Sequence, residues 1–515
     1  MAVISNYWGL DGIILLFAAI VAAYFYMTRK FNYWRKRGVL EVPPSPFLGN
    51  YSDCLFMKKS PGEFLKDLYD RGEGADCVGF YIFDKPALLV RDPGLIKHIL
   101  IKDFNYFMDR FVTSGEDDRL GAANVFLLKS PAWKTVRTKL SPIFTSGKLK
   151  KMFELMTDIS EDLHTYLESC NLEGEGRVME LKDVCAKFTT DLITTIAFGV
   201  RENSLNNPDA EFRKWGKRMY SFTVLRGFEL TSLFFIPKLA KSLNFSFFEE
   251  GNTRFLTSTF WSTINERIKS GAKRNDLIDL LIQLKNSGQE NRIFLINNNG
   301  DGDDLVAQAA VFFTAGFETS STAISFTLYE LALQPEIQNR LRKEIHEALE
   351  ENNGEITYEM VVNLPYLDMV VSETLRKFPP LPLLDRVTAA DYKVPDSNLI
   401  IERGTPIFIP LLGLHADPEY FPNPELYDPE RFSDVNKRAR KPCIYMPFGD
   451  GPHNCIGLRL GLIQSKLGLI NILSKYAVSV CEKMPVPLKL NPKGLITTSL
   501  DGIFLNMRKL TTEAS

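Results

Sequence analysis

Residues 448–457 read Phe-Gly-Asp-Gly-Pro-His-Asn-Cys-Ile-Gly, which sets a single cysteine in a loop of glycine and proline. An apolar run of helical spacing follows at once: Leu458, Leu460, Leu462, Ile463, Leu467, Leu469, Ile470 and Leu473. Gly449, Gly451 and Gly457 let the backbone take positive φ or lie flat against a large ligand, which bulkier residues do not permit. A backbone folded over the Cys455 sulfur aims N–H groups at it, and the helix start beyond adds the positive end of a dipole. Both favour thiolate over thiol, the form that ligates iron. The competing reading is an ordinary buried cysteine in a tight turn, since free cysteine is among the most buried residue types.

A second informative stretch spans residues 301–329. Asp301, Asp303 and Asp304 suit a helix N-terminus, and Leu305, Val306, Ala309, Ala310, Val311, Phe312 and Phe313 continue it as an apolar helix. Ala315-Gly316-Phe317-Glu318-Thr319-Ser320 follows. A mid-helix threonine hydroxyl bonds back to a carbonyl one turn earlier, and small residues beside it predict a local opening above Ala315 and Gly316 with room for a small molecule. Elsewhere Trp133 and Arg137, four apart, face one way, and both donate well to a carboxylate in an apolar setting. Glu373 and Arg376 pair at a spacing of three between Val370 and Phe378, and Arg431 of Pro429-Glu430-Arg431-Phe432 could make the pair a triad.

The N-terminal region carries an uninterrupted apolar run at residues 12–27, ~24 Å long as a helix and close to the hydrocarbon core of the endoplasmic reticulum. Tyr7 and Trp8 at one end and Tyr24, Phe25 and Tyr26 at the other suit the two interfaces. A cleaved signal peptide, with Val21-Ala22-Ala23 as its site, is the competing reading. The first eleven residues hold no Lys or Arg, however, and Arg29, Lys30, Arg35, Lys36 and Arg37 come after the run. That charge order predicts a retained single-pass anchor with the N-terminus outside and the rest cytosolic.

Length alone, at 515 residues, allows three domains, but no Gly/Ser- or Pro-rich interdomain linker interrupts the body of the chain. A net charge of −2 argues against a nucleic-acid partner. Seven scattered cysteines without a CxxC pair fit a reducing compartment with no disulfide framework or zinc site. Residues 78–90 read as two strands around Asp84-Lys85-Pro86, and residues 400–410 and 495–505 as further strands. Residues 111–128 read as a loop, either mobile over a pocket or plainly on the surface. Residues 379–386 (Pro-Pro-Leu-Pro-Leu-Leu-Asp-Arg) cannot be helical. His415 reads as a structural turn residue. Lys437, Arg438, Arg440 and Lys441 are a solvated run, or a dock for an acidic electron donor.

In chain order, the motifs at 133–137, 315–319, 373–376, 429–432 and 448–457 resemble those of the cytochrome P450 family of haem-thiolate monooxygenases, a resemblance that covers residues 42–505. The anchor and the wording of LSPIFTSGKL and PFGDGPHNCIG are most similar to microsomal members, particularly the insect detoxification-type subfamilies. The resemblance implies a mainly α fold with small β-sheets, holding haem b (iron protoporphyrin IX) between a long distal helix and the proximal cysteine loop and helix. It implies Cys455 as the axial iron ligand, Phe448, Gly449, Gly457 and Ala315 against the haem, and Trp133, Arg137 and Arg386 on the propionates. Thr319 and Glu318 would organise water for proton delivery, and Glu373, Arg376 and Arg431 would brace the cysteine loop. One position departs: the family carries arginine two residues before the cysteine, where this chain has His453, a weak propionate partner unless protonated.

Phe111, Phe126, Phe312, Phe313, Leu383 and Thr497 are the candidates for a wide apolar substrate pocket. The implied reaction inserts one atom of O2 into a lipophilic small molecule, either a xenobiotic or an endogenous lipid or hormone-like compound. Electrons would come from NADPH through the FAD and FMN of cytochrome P450 reductase, with cytochrome b5 as a second partner. The implied organisation is an anchor in the lipid bilayer at 1–28, a basic and proline-rich linker at 29–50, and one haem-binding catalytic domain at 51–515 on the cytosolic face of the endoplasmic reticulum. Two alternatives stay open at this stage. A haem-thiolate isomerase or dehydratase acting on a peroxide would need neither reductase nor the Thr319–Glu318 pair, and a haem-binding sensor would turn nothing over.

Overall fold

The apolar N-terminal run forms helix α1 (Trp8–Thr28), whose 21 residues span ~31 Å. Its apolar side chains are almost all exposed, so it is no core helix, and its length and composition suit a membrane span. The structure, a computed structural model, describes residues 7–221, 223–286 and 303–510. Just beyond α1, Arg29 forms an ion pair of 3.3 Å with Asp84. Asp84 sits in the turn between β1 (Cys77–Ile82) and β2 (Lys85–Val90), an antiparallel hairpin with Ile82 opposite Lys85, as its sequence predicts.

The body is mainly helical. Helices α2 (Ala132–Leu140), α3 (Leu181–Ala197) and α4 (Pro237–Ser242) precede α5 (Asp303–Leu333), and α6 (Pro365–Lys377) and α7 (Leu458–Leu473) follow it. Helix α5 is the axis of the molecule. It packs along α3 and against α7, and nearly all its residues are buried, so apolar side chains occur all round it and its buried polar ones, such as Gln308 and Ser320, are hydrogen-bonded. Two glycines set the close approach of these helices. A Cβ on Gly316 would lie 2.6 Å from Ile193 Cγ1 of α3, and one on Gly468 would lie 2.6 Å from Ile324 Cδ1.

The helix differs from expectation in one respect. Thr319 Oγ1 does donate to the Ala315 carbonyl at 2.6 Å, but α5 runs unbroken and the space beside Gly316 is filled by Ile193. Asp301, expected at the helix start, lies outside the described residues; Asp303 and Asp304 occupy the first turn.

One sheet has the order β1-β2-β5-β4, in which β4 (Leu383–Val387) pairs antiparallel with β5 (Pro406–Pro410) and β5 runs parallel to β2. A second sheet orders β3 (Arg177–Glu180), β7 (Phe504–Lys509) and β6 (Tyr476–Val480) as β3-β7-β6. Two strand boundaries are therefore corrected. The strand expected over 495–505 begins only at Phe504, because residues 497–499 turn inward to bond residues outside the sheet, such as Thr497 N–H to Pro380 O at 2.9 Å. The run at 400–410 divides into Ile400–Ile401 and Pro406–Pro410. Residues 111–128 are not a free loop: they hold a short helix, Arg119–Ala123, capped by Asp118, and Gln308 of α5 accepts from Val125 N–H at 2.9 Å.

Candidate active site

The cysteine loop is held by its own backbone. Cys455 N–H donates to Phe448 O at 2.8 Å and Gly449 N–H to Met446 O at 2.9 Å. Gly449 and Gly451 have φ of 69° and 70°, and a Cβ at Gly451 would meet Leu100 O at 2.1 Å, so both demand glycine. Gly457 has ordinary φ, and nothing lies within 4 Å of where its Cβ would be, so it presents bare backbone to open space beside the sulfur.

Cys455 is exposed, whereas four of the other cysteines are buried. Protein packed around the loop nevertheless pushes the thiol up by burial, against the pull of Gly457 N–H, Arg137 and Arg110. Desolvation wins, contrary to the expectation that loop and helix dipole alone stabilise the thiolate; a bound metal cation is the charge that would reverse the balance. Ala315 is likewise the one exposed residue of α5. The two accessible residues sit on elements that pack together, since Ser320 of α5 donates to Gln464 of α7 at 3.0 Å and Cys455 lies just ahead of α7, so a flat ligand of the sulfur would take the slot between them.

Three arginines crowd the edge of this slot. Arg137 Nη2 donates to Asn454 Oδ1 at 2.7 Å. Arg386 donates to Asp385 O at 2.7 Å, but its buried Nε has no partner among the described residues. Arg110, which the sequence did not single out, donates to His453 O at 3.2 Å and Phe126 O at 3.1 Å. Burial pushes Arg110 down to about 10 and Arg386 down to about 9, with Arg110 and Arg386 repelling each other and Asp385 as the nearby carboxylate. This donor set is short of negative charge, which two haem propionates would supply; the residues fit that group. Arg110 stands alone in an aperiodic run, and its only sequence signal is a guanidinium amid Phe107, Met108, Phe111 and Val112.

His453 takes a different part from the arginine it replaces. It is buried, its ring lies on Trp133 with centroids 3.8 Å apart, and Nε2 reaches Met108 O at 2.6 Å. That contact puts its one proton on Nε2, and burial with the neighbouring arginines pushes the ring down to about 2. Neutral His453 therefore offers no N–H at Nδ1, and it positions Trp133 rather than supplying a donor. Replacing Arg110 by glutamine is expected to speed haem transfer to apomyoglobin by about 10-fold or more, the worth of one charged hydrogen bond; Lys134→Gln on the same side should leave the rate unchanged.

Behind the loop, Glu373 and Arg376 form a buried bidentate pair (2.7 and 2.8 Å), and Arg431 Nε approaches Glu373 Oε1 at 3.4 Å. Arg376 also donates to His415 O at 2.8 Å, and His415 Nε2 accepts from Met446 N–H at 3.1 Å. His415 thus ties the triad to the start of the cysteine loop, a stronger role than a turn residue. Arg440, expected in the solvated run, instead lies half-buried over Phe432 at 4.2 Å. Lys437 pairs with Asp368 at 2.7 Å and Lys441 with Glu419 at 3.5 Å, which leaves Arg438 exposed.

The remaining candidates divide. Thr319 shares the Ala315 face of α5, whereas Glu318 is buried in an ion pair of 3.0 Å with Lys182 of α3. Phe312 contacts Phe144, and Phe126 lies under Arg110. Phe313 is fully buried among Phe198, Phe212 and Phe317, so it belongs to the core rather than to a pocket wall. Leu383 is also fully buried, in β4. Phe111 borders a cavity outside the slot, and Thr497 spends its hydroxyl on Pro379 O at 2.6 Å.

A mainly helical fold, with a glycine-rich cysteine loop leading into a helix packed on a long central helix and with arginines close to the cysteine, fits a haem-thiolate protein. The cytochrome P450 family profile matches residues 41–506. Cytochrome P450 6k1 of Blattella germanica is 50% identical over 98% of both chains. Probable cytochrome P450 6g2 of Drosophila melanogaster is 42% identical over 96% of this chain and 98% of its own, and cytochrome P450 9e2 of Blattella germanica is 39% identical over 96% and 97%. The chain belongs to the cytochrome P450 family of haem-dependent monooxygenases, with its relatives among the insect detoxification-type subfamilies.

Proposed function

We propose that this protein is a membrane-anchored monooxygenase of lipophilic small molecules, driven by NADPH through an FAD- and FMN-containing reductase at the endoplasmic reticulum. Residues 1–28 serve as anchor, 29–50 as linker and 51–515 as the catalytic domain, with cytochrome b5 as a second electron donor. The observation that carries this reading is an accessible Cys455 in its glycine loop, just ahead of a helix that packs on α5, together with the exposed Ala315 of α5. Haem held by Cys455 supplies the activation of dioxygen and the transfer of one of its atoms. Arg110, Arg137 and Arg386 would neutralise its propionates, and Trp133, positioned by His453, would close that edge.

Thr319 Oγ1 donates a hydrogen bond to the Ala315 carbonyl at 2.6 Å, which leaves the hydroxyl oxygen free to accept from water. Glu318, one residue away, holds a negative charge beside the relay in its pair with Lys182. We assign the two residues to proton delivery. Thr319→Ala should leave haem content unchanged but divert reducing equivalents to peroxide, with product per NADPH falling about 10-fold or more, within the range for general acid–base groups. Unchanged coupling would remove Thr319 from the relay. The reading as a whole is tested with the full-length holoprotein, reductase, NADPH and a panel of lipophilic substrates under ¹⁸O₂. Labelled product formed with NADPH consumption supports it. Product without NADPH points to an isomerase or dehydratase, and no turnover with any compound points to a sensor.

A further inference from the structure

A second cavity, of about 290 Å³, lies outside the haem slot between β4, the segment after Met108 and helix α4. Arg110, Lys129, Lys238 and Lys241 line it against one carboxylate, Asp109, with Thr113 as a neutral donor. Asp109 is already engaged, since it accepts from Ser130 N–H at 2.7 Å, and the next carboxylate, Asp385, accepts from Val112 N–H at 2.9 Å. Lys129 points inward and is solvated by backbone, with Nζ donating to Arg110 O and to Val112 O at 2.6 Å. With Arg110 set aside for the propionates, Lys129, Lys238 and Lys241 still outnumber Asp109 by two, and a recess with that surplus favours a bound anion that restores the balance. Its size sits at the small end of ligand sites (~300–1,000 Å³), right for a phosphate with a small substituent rather than a drug-sized molecule.

Its position narrows the source. Helix α4 carries Lys238 and Lys241. Phe235, two residues before α4, packs on Tyr51 with ring centroids 5.3 Å apart, and Tyr51 packs in turn on Phe83 of the β1–β2 turn at 6.0 Å, so α4 starts close to that hairpin. The same hairpin is held by Arg29, at the end of α1, through Asp84. Leu243, just past α4, is 54% exposed, and Leu225, on the helix Val224–Phe235 that packs against α4, is 74% exposed. Cationic groups beside exposed leucines and a bilayer-spanning helix are placed where phospholipid phosphates lie.

We propose that this cavity is a binding site for a phosphate group that carries no compensating cation, which the bilayer offers as an anionic phospholipid headgroup and the solution offers as the free ion. The test uses detergent-solubilised, full-length holoprotein in titration calorimetry with inorganic phosphate, dihexanoyl phosphatidic acid and dihexanoyl phosphatidylcholine. Wild type should bind phosphatidic acid saturably at one site, at least 10-fold more tightly than the zwitterionic lipid. The double variant Lys238→Gln/Lys241→Gln, changed only at two exposed lysines, should weaken that binding at least 10-fold with its melting temperature and haem content unchanged. Phosphatidic acid binding more tightly than inorganic phosphate assigns the site to a headgroup; equal binding assigns it to the soluble ion. Equal affinity in the double variant, equal affinity for phosphatidylcholine, or no saturable binding to wild type overturns the proposal.

Discussion

Cys455→Ala is expected to reduce monooxygenase turnover to background. The other six cysteines offer no substitute, for Cys54, Cys170, Cys185 and Cys443 are buried and Cys77 and Cys481 lie elsewhere in the fold. The nearest in sequence, Cys443, is turned toward Asp450 Oδ2 at 3.7 Å, and burial pushes its thiol up to about 11. Nothing else in the described structure can present a thiolate to the slot. The loop itself should survive, because Gly449, Gly451 and the Cys455 N–H to Phe448 O bond do not depend on the sulfur. Cys455→Ser, which keeps the size of the side chain, separates loss of the ligand from loss of the fold. Product formation and circular dichroism of both variants check the prediction; a folded Cys455→Ala protein retaining turnover within tenfold of wild type would remove the cysteine from the chemistry.

Glu373→Ala is expected to have the largest effect on stability. The carboxylate is fully buried and shared by Arg376 and Arg431, and Asp428 N–H also donates to it at 3.0 Å. Removing it strands two guanidinium groups, and breaking a buried pair in this way costs about 3–5 kcal/mol, a large part of the ~5–15 kcal/mol that holds a typical protein together. The damage should reach the cysteine loop through Arg376, His415 and Met446 N–H, so haem content should fall along with the melting temperature. Arg376→Lys should fail too, because a single ammonium cannot replace a bidentate fork that also caps the carbonyls of His415 and Pro424. The exposed pair Lys343–Glu347 is the control, and its loss should cost ~0–1 kcal/mol. A Glu373→Ala protein as stable and as haem-replete as that control would refute the bracing role.

What the sequence revealed and what it hid follow from the range over which each interaction acts. The Cys455 loop was legible because its glycines answer to local backbone geometry, and Gly449 and Gly451 do take positive φ. Glu373 and Arg376 were legible because three residues on a helix fix their distance. Lys182 as the partner of Glu318 was not, since 136 residues separate them. Arg110 was hidden for the same reason: its acceptors at Phe126 and His453 come to it only in the folded chain. Gly316 pointed the wrong way because composition reports that a residue is small, not which neighbour uses the space; here it is Ile193. Phe313 shows the limit of periodicity, which separates a buried face from an exposed one but cannot tell core from pocket wall.

The bond between the Cys455 sulfur and haem iron can be read directly from the absorption of the purified, dithionite-reduced protein under carbon monoxide. Thiolate ligation predicts a strongly red-shifted Soret band, present in wild type and absent in Cys455→Ser. A wild-type band at the position of haem ligated by nitrogen or oxygen would contradict it.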